Sequence, residues 1–143
     1  MNWTYKNQSE FEIPENSIGY IYKITNLADG RIYIGRKMLL SNRKKRLTKK
    51  EKLLPENKRK TFKRDIKETD WKKYWGSSID LLDDIKLLGE DNFSREILLF
   101  CSNKTDVSYY EMHFQIKYEV LFSNSYNKHL ANTKFYKGKV SPL

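Results

Sequence analysis

A chain of 143 residues with one cysteine, Cys101, can hold a single stable core, but it cannot build a disulfide framework, a multi-cysteine zinc site or, with no apolar run near ~18 residues, a membrane span. Its formal charge of +10 is unevenly placed: 17 lysines and arginines stand against 5 acidic residues between Arg36 and Lys73, and 11 against 13 elsewhere. A basic stretch beside a near-neutral body is the footprint of a polyanion-binding surface, nucleic acid first, although a solvated charged loop has the same composition.

Residues 1–17 read as an irregular arm whose Trp3, Tyr5, Phe11 and Ile13 cover part of a sheet, and the N-terminus lacks the apolar core of a signal peptide. One soluble, cytoplasmic domain over residues 1–143 is expected. From Gly19 to Gly35, two β-branched and aromatic runs flank Leu27-Ala28-Asp29-Gly30, which predicts a β-hairpin. Alternation puts Tyr20, Tyr22, Ile24 and Asn26 on one face of its first strand and Ile21, Lys23 and Thr25 on the other. Tyr22 and Tyr33 can then meet across the pair, as strand aromatics or as functional phenols.

The chain from Arg36 to Leu40 and beyond reads as helical, followed by a basic insertion over 44–70 broken at Pro55 and Asn57. Within it Phe62 and Ile66 stand at helical spacing. Trp71, Tyr74 and Trp75 alternate with Lys72 and Lys73, which fits a hydrophobic plug as well as a surface that meets phosphates and stacks on bases. Ser78 caps a helix from Ile79 to Leu88 that Gly89 stops, and its stripe of Leu81, Leu82, Ile85 and Leu88 is structural. Asn92 to Cys101 reads as a third strand, apolar enough at its end to be central.

Thr105 or Asp106 is expected to cap a helix running to about Leu121. Glu111 lies among its apolar positions, four residues from Val107 and three from Phe114, so it points inward while Gln115 and Lys117 point outward. A carboxylate there needs a cationic partner or a metal. His113 and His129 read as surface residues. Residues 130–143 form a basic tail.

Tyr20-Ile21-Tyr22 followed by Tyr33-Ile34-Gly35 resembles the paired tripeptides of the GIY-YIG nuclease superfamily, with Gly19 one place earlier than the family's first glycine. The resemblance extends to Arg43, ten positions after Tyr33, to the basic Arg36, to Glu111 on a late helix and to Tyr126-Asn127 as the closing motif. Trp71 to Ser78 with the helix after it looks like a phage-encoded branch related to homing endonucleases, which would act in an infected host cell.

What the resemblance implies is an α/β fold with a small three-stranded antiparallel sheet flanked by helices and interrupted by the basic insertion. It also implies a metal-dependent DNA endonuclease, with Tyr22, Tyr33, Arg43, Arg36, Glu111 and Asn127 as catalytic residues. Glu111 would hold Mg²⁺ or Mn²⁺, Tyr22 is favoured over Tyr33 as the base, and Asn127 would position a ligand or the Glu111 side chain. No small-molecule cofactor is expected. Lys44, Lys45, Arg46, Lys58, Arg59, Lys60, Lys63, Arg64, Lys72 and Lys73 are the candidate DNA contacts. A non-catalytic nucleic-acid-binding protein on the same scaffold is the other reading.

Overall fold

The computed structural model describes residues 2–131 and 134–143. Its strands are β1 (Trp3–Tyr5), β2 (Gly19–Asn26), β3 (Ile32–Met38), β4 (Leu40–Arg46), β5 (Phe62–Glu68) and β6 (Phe93–Cys101). The helices are α1 (Lys49–Lys52), α2 (Ile79–Leu88) and α3 (Lys104–Lys117). Two compact units result: residues 1–39 with 70–143, and residues 40–69.

In the larger unit, β2 is buried along most of its length because it is paired on both edges and covered on both faces. Tyr20, Tyr22 and Ile24 pack on one side with Trp3, Trp71, Trp75, Leu81 and Phe93. Ile21 packs on the other with Ile34, Val107, Tyr110 and Phe114. The hairpin forms as the sequence predicts, with Gly30 at φ +80° and the Asp29 carboxylate accepting the Arg31 N–H. That conformation is easy for glycine and strained for residues with a Cβ. The Trp71–Trp75 stretch is a plug: both tryptophans are buried, and the Trp3 indole donates to the Trp71 carbonyl.

The three-stranded antiparallel sheet expected above is corrected to four strands in the order β1-β6-β2-β3, with β1 parallel to β6. The N-terminal arm supplies the extra strand, since three residues that pair across ninety others leave no local pattern. The predicted helix after the hairpin is absent. β3 runs to Met38 and β4 follows after one residue. Phe62 and Ile66 sit on a strand as well, because a separation of four fits a two-residue period as readily as a helical turn.

β6 carries a bulge: Ile21 faces Leu99 while Tyr22 faces Ile97, which leaves Leu98 extra. The extra residue reverses the alternation, so that Ile97 enters one core cluster and Cys101 the other. α2 begins at its predicted cap, the Ser78 hydroxyl accepting the Leu81 N–H, and ends at Gly89. α3 differs from expectation at both ends. Asn103 is its cap, accepting the Asp106 N–H at 2.8 Å, and it stops at Lys117.

Tyr22 lies opposite Gly35 across the β2–β3 ladder, with the hydroxyl end of its ring over the glycine. A Cβ at Gly35 would stand 2.6 Å from the Tyr22 Cζ, closer still to its hydroxyl, and 3.0 Å from the Tyr33 Cε1. Gly35→Ala should therefore cost ~1–3 kcal/mol by overpacking, measured by urea denaturation. Tyr22→Phe in that background should restore only part of it, because Cζ remains; full restoration would show that the hydroxyl alone makes the clash.

Candidate active site

β3 is an edge strand, and its open side is where the candidate residues gather. Its alternation sends Tyr33 towards the α2 face and Arg36 towards the α3 face. The return after α3 closes the edge. The Tyr126 N–H donates to the Ile32 carbonyl at 2.8 Å. The Asn127 side chain then mimics a strand backbone: its Oδ1 accepts the Ile34 N–H at 2.9 Å and its Nδ2 donates to the Ile34 carbonyl at 2.8 Å. An edge so covered cannot recruit another strand.

A second network ties the hairpin turn to α2. Asn26, buried, donates to the Tyr126 hydroxyl at 3.0 Å, and that hydroxyl donates to Asp84 at 2.7 Å. Arg31 bridges Asp29 and Asp84 while its guanidinium lies 4.2 Å from the Tyr126 ring centre.

Between these braces opens a cleft of about 400 Å³, lined by Tyr33, Ser77, Glu111, Asn127, Lys128 and His129 among others. The Tyr33 hydroxyl is 3.2 Å from the Ser77 hydroxyl. Its pKa is raised by burial, lowered by the Ser77 hydrogen bond, and raised again by the Tyr74 and Glu111 charges. Glu111 enters from α3 with its side chain 15% exposed. Burial raises its pKa, and Arg36 and His129 oppose the rise. The Arg36 Nε stands 3.7 Å from the Glu111 carboxylate, and Arg36 also donates to Ser108 at 2.6 Å.

Tyr22 is placed differently. It is 1% exposed, stands away from the cleft lining, and has a pKa raised well above that of a free phenol by burial and then by Tyr33 and Tyr74. Asn127 directs one hydrogen bond from each polar atom of its side chain to Ile34. Of its two expected roles, on a ligand or on the Glu111 side chain, the second has no hydrogen bond to Glu111 among the described residues. Arg43 belongs to the smaller unit, on β4 opposite Asp65. Arg36 is the candidate arginine that shares a unit with Glu111. Lys72 and Lys73 flank the plug on its exposed side.

Four polar cleft residues, Gln115, Ser77, Lys128 and His129, escape the sequence reading. Gln115 is 5% exposed and not outward: it donates to the Ile34 carbonyl at 3.4 Å and accepts the Ala131 N–H at 2.8 Å. Its position one helical turn beyond Glu111 is the signal that could have found it. Ser77 and His129 carry no such signal, since each reaches the cleft through a turn.

A family model described as "Putative endonuclease segE, GIY-YIG domain" matches residues 3–140. The chain belongs to the GIY-YIG nuclease superfamily. No curated protein and no solved structure matches it. The family implies a metal, and this GIY-YIG site offers one half-buried carboxylate with no group of three or more His, Cys, Asp or Glu among the described residues. That donor set fits a hard octahedral cation that keeps most of its waters, as Mg²⁺ does, and does not fit a closed zinc or calcium cage.

A carboxylate whose folded pKa is raised loses stabilising free energy as pH climbs through the interval between its unfolded and folded values. Glu111→Gln should therefore be more stable than the wild type at neutral pH, and the advantage should vanish below the unfolded value of ~4.3. Thermal melts across pH check this. A loss at neutral pH would instead identify Glu111 as half of a structural ion pair with Arg36.

Proposed function

We propose that this GIY-YIG domain is a metal-dependent endonuclease that hydrolyses phosphodiester bonds of DNA. The observation that carries the reading is the convergence on one cleft of a phenol, Tyr33, and a carboxylate, Glu111, with Arg36 paired to that carboxylate. Glu111 would hold Mg²⁺ or Mn²⁺, which would supply charge neutralisation at the reacting phosphate.

The Tyr33 hydroxyl is the group to orient the attacking water and accept its proton. Ser77 fixes its direction by hydrogen bonding. Its pKa falls as cations neutralise the neighbouring Glu111, which Arg36 begins to do. Tyr22 serves from beneath, holding Tyr33 and Gly35 in register. Arg36, Lys128 and the positive end of α2 supply favourable potential for phosphoryl oxygens at the mouth. His129 stands in the same cleft as a second group able to donate or accept a proton. Arg43 goes with the binding residues of the smaller unit, and Asn127 with the scaffold. A non-catalytic binding protein would have no use for a desolvated carboxylate facing a phenol.

Plasmid cleavage with Mg²⁺ present or chelated is the deciding assay. Tyr33→Phe should slow single-turnover cleavage by ~10²-fold or more, whereas Tyr22→Phe should lower the melting temperature and spare most of the rate. Glu111→Ala should abolish cleavage and leave duplex affinity intact. Cleavage that survives chelation, or equal loss of binding and cleavage in folded Glu111→Ala, would sink the assignment.

The candidate contacts of the smaller unit and its tip, Lys44, Lys45, Arg46, Lys58, Arg59, Lys60, Lys63 and Arg64, should carry affinity and little chemistry. Six phosphate contacts would give a log–log salt slope near ~−5, from about −0.9 each. Neutralising Lys58, Arg59 and Lys60 together should flatten that slope and leave the rate at saturating protein unchanged.

A further inference from the structure

The smaller unit is a two-stranded antiparallel ribbon, β4 with β5, closed by α1 and a short turn at Pro55–Asn57. Thirteen lysines and arginines stand against four acidic residues over its 30 residues. The register sets Lys44 directly opposite Arg64 and Lys45 directly opposite Lys63. Like charges facing each other weaken a ladder, and two-stranded ribbons are marginal to begin with. A polyanion reverses that penalty.

The two faces of the ribbon differ. One carries Arg43, Lys45, Lys63 and Lys67, and its charge is partly neutralised: Lys67 stands 3.6 Å from Asp65, Lys63 pairs with Glu51 at 2.6 Å, and Arg43 lies opposite Asp65. Lys63 and the Thr48 cap hold the Glu51 carboxylate down at about 2. The other face carries Asn42, Lys44, Arg46, Phe62, Arg64 and Ile66, all exposed, and its one carboxylate, Glu68, stands at the end of the ribbon opposite Leu40. Phe62 and Ile66 are 52% and 60% exposed between the cations.

We infer that this second face enters the major groove of double-stranded DNA. The inference rests on the DNA reading above and deepens it by naming the face and the groove. Cations alone would serve a surface that touches only phosphates, and the two interleaved apolar side chains have no place there. Base edges in the major groove give both kinds of group a partner: acceptors on guanine for Arg and Lys, adenine for Asn42, and the thymine methyl for Phe62 and Ile66. The dimensions agree, since seven paired residues span ~23 Å with strands ~4.8 Å apart and the groove of ~12 Å admits such a ribbon. Duplex RNA closes its major groove to side chains. A single strand needs several stacking rings, and this face has Phe62 alone.

The test uses the full chain with divalent metal withheld, so that the DNA stays intact. Anisotropy should show wild-type protein binding a thymine-containing DNA duplex more tightly than the same duplex with uracil for thymine, which lacks only the methyl groups. Phe62→Ala with Ile66→Ala should remove that difference. Lys44→Gln, Arg46→Gln and Arg64→Gln together should weaken binding ~10-fold or more and abolish protection of guanine N7 from dimethyl sulfate. Arg43→Gln, Lys45→Gln and Lys63→Gln should weaken binding less, through lost phosphate contacts alone, and leave both the guanine N7 protection and the thymine–uracil difference in place. Equal affinity of the wild type for the thymine and uracil duplexes, or equal effects of the two triple variants, overturns the inference. A chain that shows these preferences but cleaves nothing with Mg²⁺ overturns the nuclease reading and leaves the groove assignment standing.

Discussion

The site depends on one steric fact, that the Tyr22 ring occupies the space a side chain at Gly35 would need. The ring packs against Trp3 on one side and Tyr33 on the other, so it joins the deepest part of the core to the edge strand. A glycine opposite a large ring lets β3 approach β2 without a bend, and the next outward residue, Tyr33, is then delivered to the cleft at a fixed height. Burial of β2 on both faces makes this placement rigid, because any slip by one residue would exchange its two core faces. The two motif halves are thus a single packing unit, one tyrosine inside and one at the surface.

Rigidity at the open edge comes from side chains acting as backbone. Asn127 completes the ladder at Ile34, and Gln115 supports the same carbonyl while holding Ala131. Neither residue needs to touch a substrate to matter, since a displaced edge would carry Tyr33 and Arg36 with it. Positioning at this level is a large part of what an active site contributes. The Asn26–Tyr126–Asp84–Arg31 network does the same from the other end, so the return after α3 is fixed at two points. A cleft between two such anchors can keep its polar groups aimed without help from a ligand.

The hairpin, α2 and the inward place of Glu111 were legible because each rests on local chemistry: an Asp-Gly turn, a serine cap, a carboxylate three and four residues from apolar neighbours. β1 was not, since its pairing with β6 is parallel and distant in sequence. The ribbon was misread for a sharper reason. Its apolar residues are four apart, a spacing common to both periods, and Lys63 and Arg64 between them favour helix slightly in isolation. Pairing with β4 overrode that preference. His129 was set aside as a surface residue, and it is exposed, yet the return that Asn127 pins brings it beside Glu111. Exposure in a sequence pattern says nothing of what a turn will place next to what.

Charge is divided unevenly between the two units. The ribbon unit carries all but about one of the net positive charges, and the unit with the cleft is close to neutral. On the reading proposed above, attraction from the ribbon would act alike on bound substrate and transition state, raising occupancy without lowering the chemical barrier. Groups in the cleft would, on the same reading, have the opposite duty: few, partly desolvated, and felt most where charge develops on one phosphate. A carboxylate crowded by cations is held ionised and paired. Within its own unit Glu111 has few cations about it and is poised by burial, with Arg36 and His129 as its counterweights, while on the reading proposed above the ribbon would supply a large and salt-dependent affinity.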